Sequence, residues 1–236
     1  MTTWGMVIDL DRCTGCGACQ TACRLENNLA PRAAAPAGDS PSDWITLRAV
    51  GNGKAYPRAE SVFLPKPCMH CEHPPCVAAC PVNATQKSAQ GIVSQVYARC
   101  IGCRSCVAAC PYGVRVFNWV EPVWPGAMGG ALTPFASARP KGVVEKCTFC
   151  SHRLVPNDHG SGAGAGARNA TRTACVEACP TGAIHFGDLD NPSHLVHALS
   201  RGPAAFTLLP ASKANPRVYY LSRREWLREW AKGGGR

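Results

Sequence analysis

Sixteen cysteines fall into four groups of four, with none left over. The first is Cys13, Cys16, Cys19 and Cys23, spaced C-x2-C-x2-C-x3-C. The second, Cys68, Cys71, Cys76 and Cys80, is spaced C-x2-C-x4-C-x3-C. The third, Cys100, Cys103, Cys106 and Cys110, repeats the first spacing, and the fourth, Cys147, Cys150, Cys175 and Cys179, is spaced C-x2-C-x24-C-x3-C. Proline follows the last cysteine in three groups, as Pro81, Pro111 and Pro180. No other feature restricts the fold as much, because a chain this rich in thiols must cross-link them or bind metal through them.

Composition sharpens that choice. Leu, Ile, Val and Phe supply 43 of 236 residues, about 18 per cent, and a share below ~20 per cent is thin for an apolar core. The 46 per cent hydrophobic content therefore leans on Ala and Cys. Disulfides would need an oxidising compartment. The N-terminus shows neither a basic region before an apolar core nor a twin arginine, which argues against export of the chain alone. The weight moves to metal. No run of 18 apolar residues exists, so no transmembrane helix is expected.

Three thiolates at i, i+3 and i+6 on a curling loop can reach three irons of one cubane, and the fourth cysteine lies four residues beyond the third. The run C-x2-C-x2-C-x3-C-P is the bacterial ferredoxin signature, whose fourth cysteine ligates the other cluster of a pair. Proline then ends the helical turn because it cannot donate the next backbone bond. The bland readings are a structural zinc site, for which Cys147-x2-Cys150 could be half, and a disulfide framework. Zinc leaves the compact groups and the proline unexplained, so the expected cofactors are four [4Fe-4S] clusters. The net charge of +10 would otherwise suggest nucleic acid. Sixteen thiolates around four oxidised cores bring it to about +2 once bound metal is counted, and no basic run of five exists. No nucleic-acid partner is expected.

Short β-branched or aromatic runs bound the groups. Met6-Val7-Ile8 precedes group one, Ile92, Val93 and Val96 precede group three, Gly113 to Trp119 follows group three, and Ala183, Ile184 and Phe186 follow group four. They read as strands. Short helices fit Ala18 to Glu26, Val77 to Cys80, Val107 to Cys110 and Val176 to Cys179. Asn27 to Asp43, Pro122 to Ala138 and Pro156 to Thr173, with its glycine-rich Gly160 to Gly166, read as irregular. The sequons at Asn83 and Asn169 read as chance. Ser222 to Lys232 fits a helix with Leu227 and Ala231 at i, i+4 spacing, packed on its own domain or docked on a partner. His70, His73 and His152 sit beside cysteines and are expected at the surface or in hydrogen bonds. No nucleophile–base pair, phosphate-cradling loop or paired carboxylates stand out, so no catalytic site is expected in this chain.

These residues resemble a known family. Met6-Val7-Ile8-Asp9 before Cys13, Cys71-Glu72-His73-Pro74-Pro75-Cys76, Cys100-Ile101-Gly102-Cys103, and Cys147-Thr148-Phe149-Cys150 followed by His152-Arg153 are similar to the iron–sulfur electron-transfer subunits of the molybdopterin oxidoreductase superfamily. These are the second subunits of dimethyl sulfoxide, polysulfide, tetrathionate, arsenate and nitrate reductases, formate dehydrogenases and membrane-bound sulfite dehydrogenases. The likeness covers roughly residues 4 to 190. It implies an α+β fold of two bacterial-ferredoxin-like modules, the second inserted in the first, with long irregular loops. Residues 1–60 and 141–236 would form the outer module with its C-terminal tail, and 61–140 the inner one.

The resemblance also implies a ligand set. Cys13, Cys16 and Cys19 would share a cluster with Cys179; Cys147, Cys150 and Cys175 with Cys23; Cys68, Cys71 and Cys76 with Cys110; and Cys100, Cys103 and Cys106 with Cys80. The relay would run in that order, from a molybdopterin-containing catalytic subunit to an integral membrane quinone-reactive subunit, in sulfur-compound redox metabolism. The chain departs from the pattern at Cys23, where Arg24-Leu25-Glu26-Asn27 replaces proline and lets the helix continue, and in the long gap of group four. It has lost no cysteine, unlike nitrate-type subunits in which a Trp leaves one cluster with three irons.

Three rival readings stay open. They are the iron–sulfur subunit of another respiratory complex, such as a hydrogenase or an alternative quinol-oxidising complex; a free polyferredoxin; and a zinc-stabilised binding module. The expected place is peripheral on a membrane within a complex. The cytoplasmic side is favoured, and co-export with a partner to the periplasmic side remains open.

Overall fold

The computed structural model describes residues 2–31, 43–154 and 172–233. Most of the irregular segments expected at Asn27 to Asp43 and Pro156 to Thr173, and the Asn169 sequon, lie outside them. Among the described residues ten short strands and six short α-helices alternate with long loops, which makes the chain α+β.

The first strand, β1 (Trp4–Asp9), is where the apolar run Met6-Val7-Ile8 goes. Alternate side chains of a strand point to opposite faces, and here both faces are covered. Met6 and Ile8 enter the main core, while Val7 packs with Leu189 and Val196 on the other side. A strand buried on both faces belongs in the middle of a sheet. β1 accordingly pairs antiparallel with β8 (Ile184–Asp188) and parallel with β10 (Val218–Leu221). β9 (Ala205–Phe206) completes the order β8-β1-β10-β9, and α5 (Leu195–Arg201) covers the Val7 face. The remaining sheets are two-stranded: β2 (Thr46–Gly51) with β3 (Ser61–Lys66), β4 (Thr85–Lys87) with β5 (Val93–Gln95), and β6 (Val116–Phe117) with β7 (Val144–Glu145). Fully buried Tyr220 donates its hydroxyl to the Pro65 carbonyl at 3.0 Å and ties the large sheet to β3.

Four helices carry cysteines. α1 (Ala18–Glu26) has the bounds the sequence suggests. It runs for nine residues because no proline follows Cys23. By contrast α2 (Pro75–Ala78), α3 (Ser105–Ala108) and α4 (Ala174–Glu177) are single turns. They begin about two residues earlier than expected and stop before the fourth cysteine. The reason is local. Cys80, Cys110 and Cys179 donate their N–H to the i−3 carbonyls of Val77, Val107 and Val176 at 3.1, 3.2 and 3.3 Å, so the chain tightens just ahead of the proline.

Glycine is required where a cluster loop meets other backbone. At Gly102 φ is +69°, and a Cβ there would stand 2.4 Å from the Gly142 carbonyl oxygen.

The expected C-terminal helix is α6 (Glu225–Lys232). Leu227 and Ala231 are buried in the main core, the Leu209 N–H donates to the Ala231 carbonyl at 3.0 Å, and Trp226 Nε1 donates to Glu60 at 3.1 Å. The helix therefore packs on its own chain. Among the described residues no helix is long and apolar enough to cross a membrane.

Leu227→Ala should lower the stability of the metal-loaded protein by about 2–5 kcal/mol, measured by denaturant unfolding. Lys232→Ala, on the exposed face, should stay within about 0.5 kcal/mol.

Candidate metal centres

The single-turn helices do the positioning. The third cysteine of groups two, three and four sits in the first turn of α2, α3 or α4; in groups two and three the first two lie on the loop just before it, and in group four they follow β7. The fourth is turned away by the i−3 bond and proline, so its sulfur is free to meet a different group.

The thiols gather in four neighbourhoods. Burial lifts Cys19 to about 11, with charge on Cys13, Cys179 and Cys16 adding to it. Cys23 stands among Cys147, Cys150 and Cys175, and burial together with charge on those three pushes its thiol well up. Cys68, Cys71, Cys76 and Cys110 line one cavity with Met69, Val93 and Arg115. Burial, then charge on the other three cysteines, pushes Cys71 up as well. In the last neighbourhood Cys106 feels Cys100, and Cys103 feels Cys80. Each neighbourhood thus brings a cysteine of one group beside cysteines of another. The neighbourhoods also touch in series. Charge on Cys19 reaches Cys175, and charge on Cys68 is the largest contribution after burial in lifting Cys147 to about 12. Arg115 feels charge on Cys76, Cys68 and Cys110 of one neighbourhood and on Cys106 of another.

The surroundings treat these sulfurs as acceptors. N–H groups of Ala84, Phe149 and Ala183 donate to Cys80, Cys147 and Cys179 at 3.1, 3.4 and 3.3 Å. Asn27 Nδ2 donates to Cys23 at 3.7 Å, and the Thr173 hydroxyl lies 3.1 Å from Cys175. Burial would raise Cys80 and Cys179, but N–H and hydroxyl donors from Thr85, Ala84, Val82, Thr181, Ala183 and Ile184 hold both below their ordinary value.

Four buried thiolates together repel one another and need a positive core. A single zinc ion would draw four sulfurs to about 2.3 Å from one point, whereas a four-iron core offers each thiolate its own metal. The buried guanidinium of Arg115, whose Nε and Nη2 find no acceptor among the described residues, adds positive charge beside them. Histidines take no part. His70 is buried, stacked on Phe149 at 3.7 Å, with Nδ1 accepting the Val93 N–H; His73 is exposed; His152 lies 2.7 Å from Glu26.

Two residues escaped the sequence reading. Val114-Arg115-Val116 alternates like a strand with Arg115 facing solvent, yet all three are buried. Lys146 is fully buried, with Nζ donating to the carbonyls of Val93 and Cys147. The position of Lys146 directly before Cys147 was the only available signal. Glu26, on the extra turn of α1, also matters. It accepts from Arg153 beside Cys150, and Arg153 Nη1 donates to Glu177 of α4 at 2.7 Å. One guanidinium, that of Arg153, thus clamps the helix of group one to both halves of group four.

Comparison with known proteins agrees with this geometry. A family model described as a 4Fe-4S dicluster domain matches residues 12–84 and 99–183, and a second of the same description matches 59–125. The chain is 52 per cent identical to the menaquinone reductase iron–sulfur cluster-binding subunit of Nitratidesulfovibrio vulgaris, over 95 per cent of this chain and 91 per cent of that protein. A putative dimethyl sulfoxide reductase iron–sulfur subunit of Halobacterium salinarum shares 38 per cent, covering 94 and 80 per cent of the two chains. A sulfite dehydrogenase subunit of Allochromatium vinosum shares 34 per cent, covering 95 and 85 per cent.

The clamp predicts a pH dependence. Burial alone would raise Glu26, but hydrogen bonds from Arg153 and His152 bring it down from 4.5 to about 2. A depressed carboxyl stabilises the fold above its unfolded value and loses that contribution as pH falls through the folded one. Glu26→Gln should therefore cost about 2 kcal/mol at pH 7. The gap to the parent should hold from about pH 8 down to about 5 and begin to close only below about 4.5. Denaturant unfolding of the cluster-loaded proteins from about pH 8 to about 5, above the range in which acid strips iron–sulfur clusters, checks that the gap holds.

Proposed function

Because the chain belongs to the 4Fe-4S dicluster family, as an iron–sulfur electron-transfer subunit of the molybdopterin oxidoreductase superfamily, we propose that it is the four-cluster relay between a molybdopterin-containing catalytic subunit and an integral membrane quinone-reactive subunit. It carries four [4Fe-4S] clusters, each of which accepts and releases one electron when bound. Cys13, Cys16, Cys19 and Cys179 would hold the first; Cys147, Cys150, Cys175 and Cys23 the second; Cys68, Cys71, Cys76 and Cys110 the third; Cys100, Cys103, Cys106 and Cys80 the fourth. The neighbourhoods of thiols described above support this set.

One observation carries the relay reading. Only Cys16 and Cys103 are exposed among the sixteen, and they fall in the first and last sets of the series. The middle sets are buried save for half-buried Cys110. A chain of sites open at its ends and closed between them suits entry from one partner and exit to another. Each open end carries an exposed apolar side chain suited to docking. Phe63 lies against the Gly15 loop, and Ile101 stands beside Cys103, with Arg104 over the rings of Phe117 and Trp119.

The modules follow the same logic. The inner one, 61–140, is inserted in the outer one, 1–60 with 141–236. The β2–β3 hairpin crosses one junction and the β6–β7 pair the other, so both junctions are paired strands rather than free linkers. The protein sits peripherally on the membrane through its partner. The name of the 52-per-cent relative favours menaquinone at the membrane end, and that of the sulfite dehydrogenase relative favours a sulfur compound at the other.

Cys100→Ser tests the order. In the purified complex it should lower iron by about four per chain and abolish most quinone-linked activity, while dye-linked activity of the catalytic subunit largely survives. Equal loss of both activities, with the other clusters intact, would contradict it.

A further inference from the structure

Two arginines are buried among the described residues, and they differ in one respect. Arg139 has a carboxylate, Glu145, at 2.8 Å. Arg115, only 5 per cent exposed, has none within ion-pair distance among the described residues. Its Nη1 donates to Gln95 Oε1 at 3.2 Å, and the same oxygen accepts the Thr85 hydroxyl at 2.8 Å. That bond fixes the plane of the guanidinium. Nε and Nη2 are left buried without an acceptor among the described residues.

A guanidinium does not lose its proton in a protein, so this charge is permanent. Taking it out of water without compensation is strongly unfavourable. The compensation on offer is sulfur. Arg115 lines the cavity with Cys68, Cys71, Cys76 and Cys110, and it also reaches Cys106. Cluster potentials depend on local charge and on hydrogen bonds to sulfur. An added electron makes a cluster more negative, which a fixed cation beside it favours. N–H donors aimed at sulfur act in the same direction.

We propose that Arg115 sets the step in potential between the two inner clusters, raising most the one held by Cys68, Cys71, Cys76 and Cys110. The assignment follows from placement: the guanidinium lines the cavity together with Cys68, Cys71, Cys76 and Cys110, whereas of the next set it meets Cys106 alone, within hydrogen-bonding reach. The inference rests on the relay reading and extends it, because it makes one side chain bias where along the series an electron rests. Gln95 and Thr85 are the positioning residues that hold the guanidinium in place.

The test uses the cluster-loaded protein with Arg115→Gln and Arg115→Lys. Iron and sulfide analysis comes first, then redox titration followed by electron paramagnetic resonance. Cys71→Ser marks the signal of the third set. With iron retained, Arg115→Gln should lower that midpoint enough to change the oxidised-to-reduced ratio at fixed potential about tenfold, 59 mV for a one-electron couple. The Cys106 set should move less, and the two outer sets should not move. Arg115→Lys keeps the charge but not the fork, and should lower the same midpoint by a smaller amount. If Arg115→Gln loses iron, the lysine variant decides on the same criterion. Unmoved midpoints, equal shifts in all four clusters, or loss of iron from both variants would overturn the proposal. An iron-free parent would instead contradict the cluster reading beneath it.

Discussion

Sixteen thiolates packed in fours, most of them out of water, cannot coexist without a positive core between them. That repulsion organises the rest of the protein. It explains why the chain folds with a share of Leu, Ile, Val and Phe near 18 per cent, since metal-binding energy becomes folding energy when the site exists only in the folded chain. It also explains why the cysteines belong to the hydrophobic core. Cys19, Cys23, Cys68, Cys71, Cys147 and Cys175 are members of the main core together with Met6, Ile8, Leu64 and Tyr220. Each neighbourhood joins segments far apart in sequence, such as Cys19 with Cys179 and Cys23 with Cys147. The six short helices and ten short strands could not supply such ties by packing alone.

The distribution of charge follows from the same constraint. The formal excess of +10 is not a surface stripe. Part of it is buried against sulfur, as Arg115 and Lys146, and part clamps the cluster loops, as Arg153 does through Glu26. Neutral donors finish the arrangement, with N–H groups of Ala84, Phe149 and Ala183 directed at thiols. Exposure then separates ends from middle: Cys16 and Cys103 open to the surface, and Cys147, Cys150, Cys175 and Cys23 are sealed.

Much of this was legible in the sequence because cysteine spacing is a local signal with a stereochemical meaning. The third and fourth cysteines of a group flank one helical turn, and the presence or absence of proline decides whether it ends there or runs on, as it does in α1. The strand at Met6-Val7-Ile8 was legible from its unbroken apolar run. What escaped is non-local. The parallel pairing of β1 with β10 joins residues more than 200 apart, and no turn chemistry announces it. The β2–β3 hairpin is half exposed and carries no strict alternation. Arg115 escaped because alternation predicts the wrong face. The cluster cavity, which no strand pattern encodes, draws it inward.

The central claim is that cubane cores hold these thiols together, and elemental analysis of the purified protein tests it most directly. The account predicts about sixteen iron and sixteen acid-labile sulfide per chain, a brown colour, and little zinc. Stoichiometric zinc with iron near zero would contradict it.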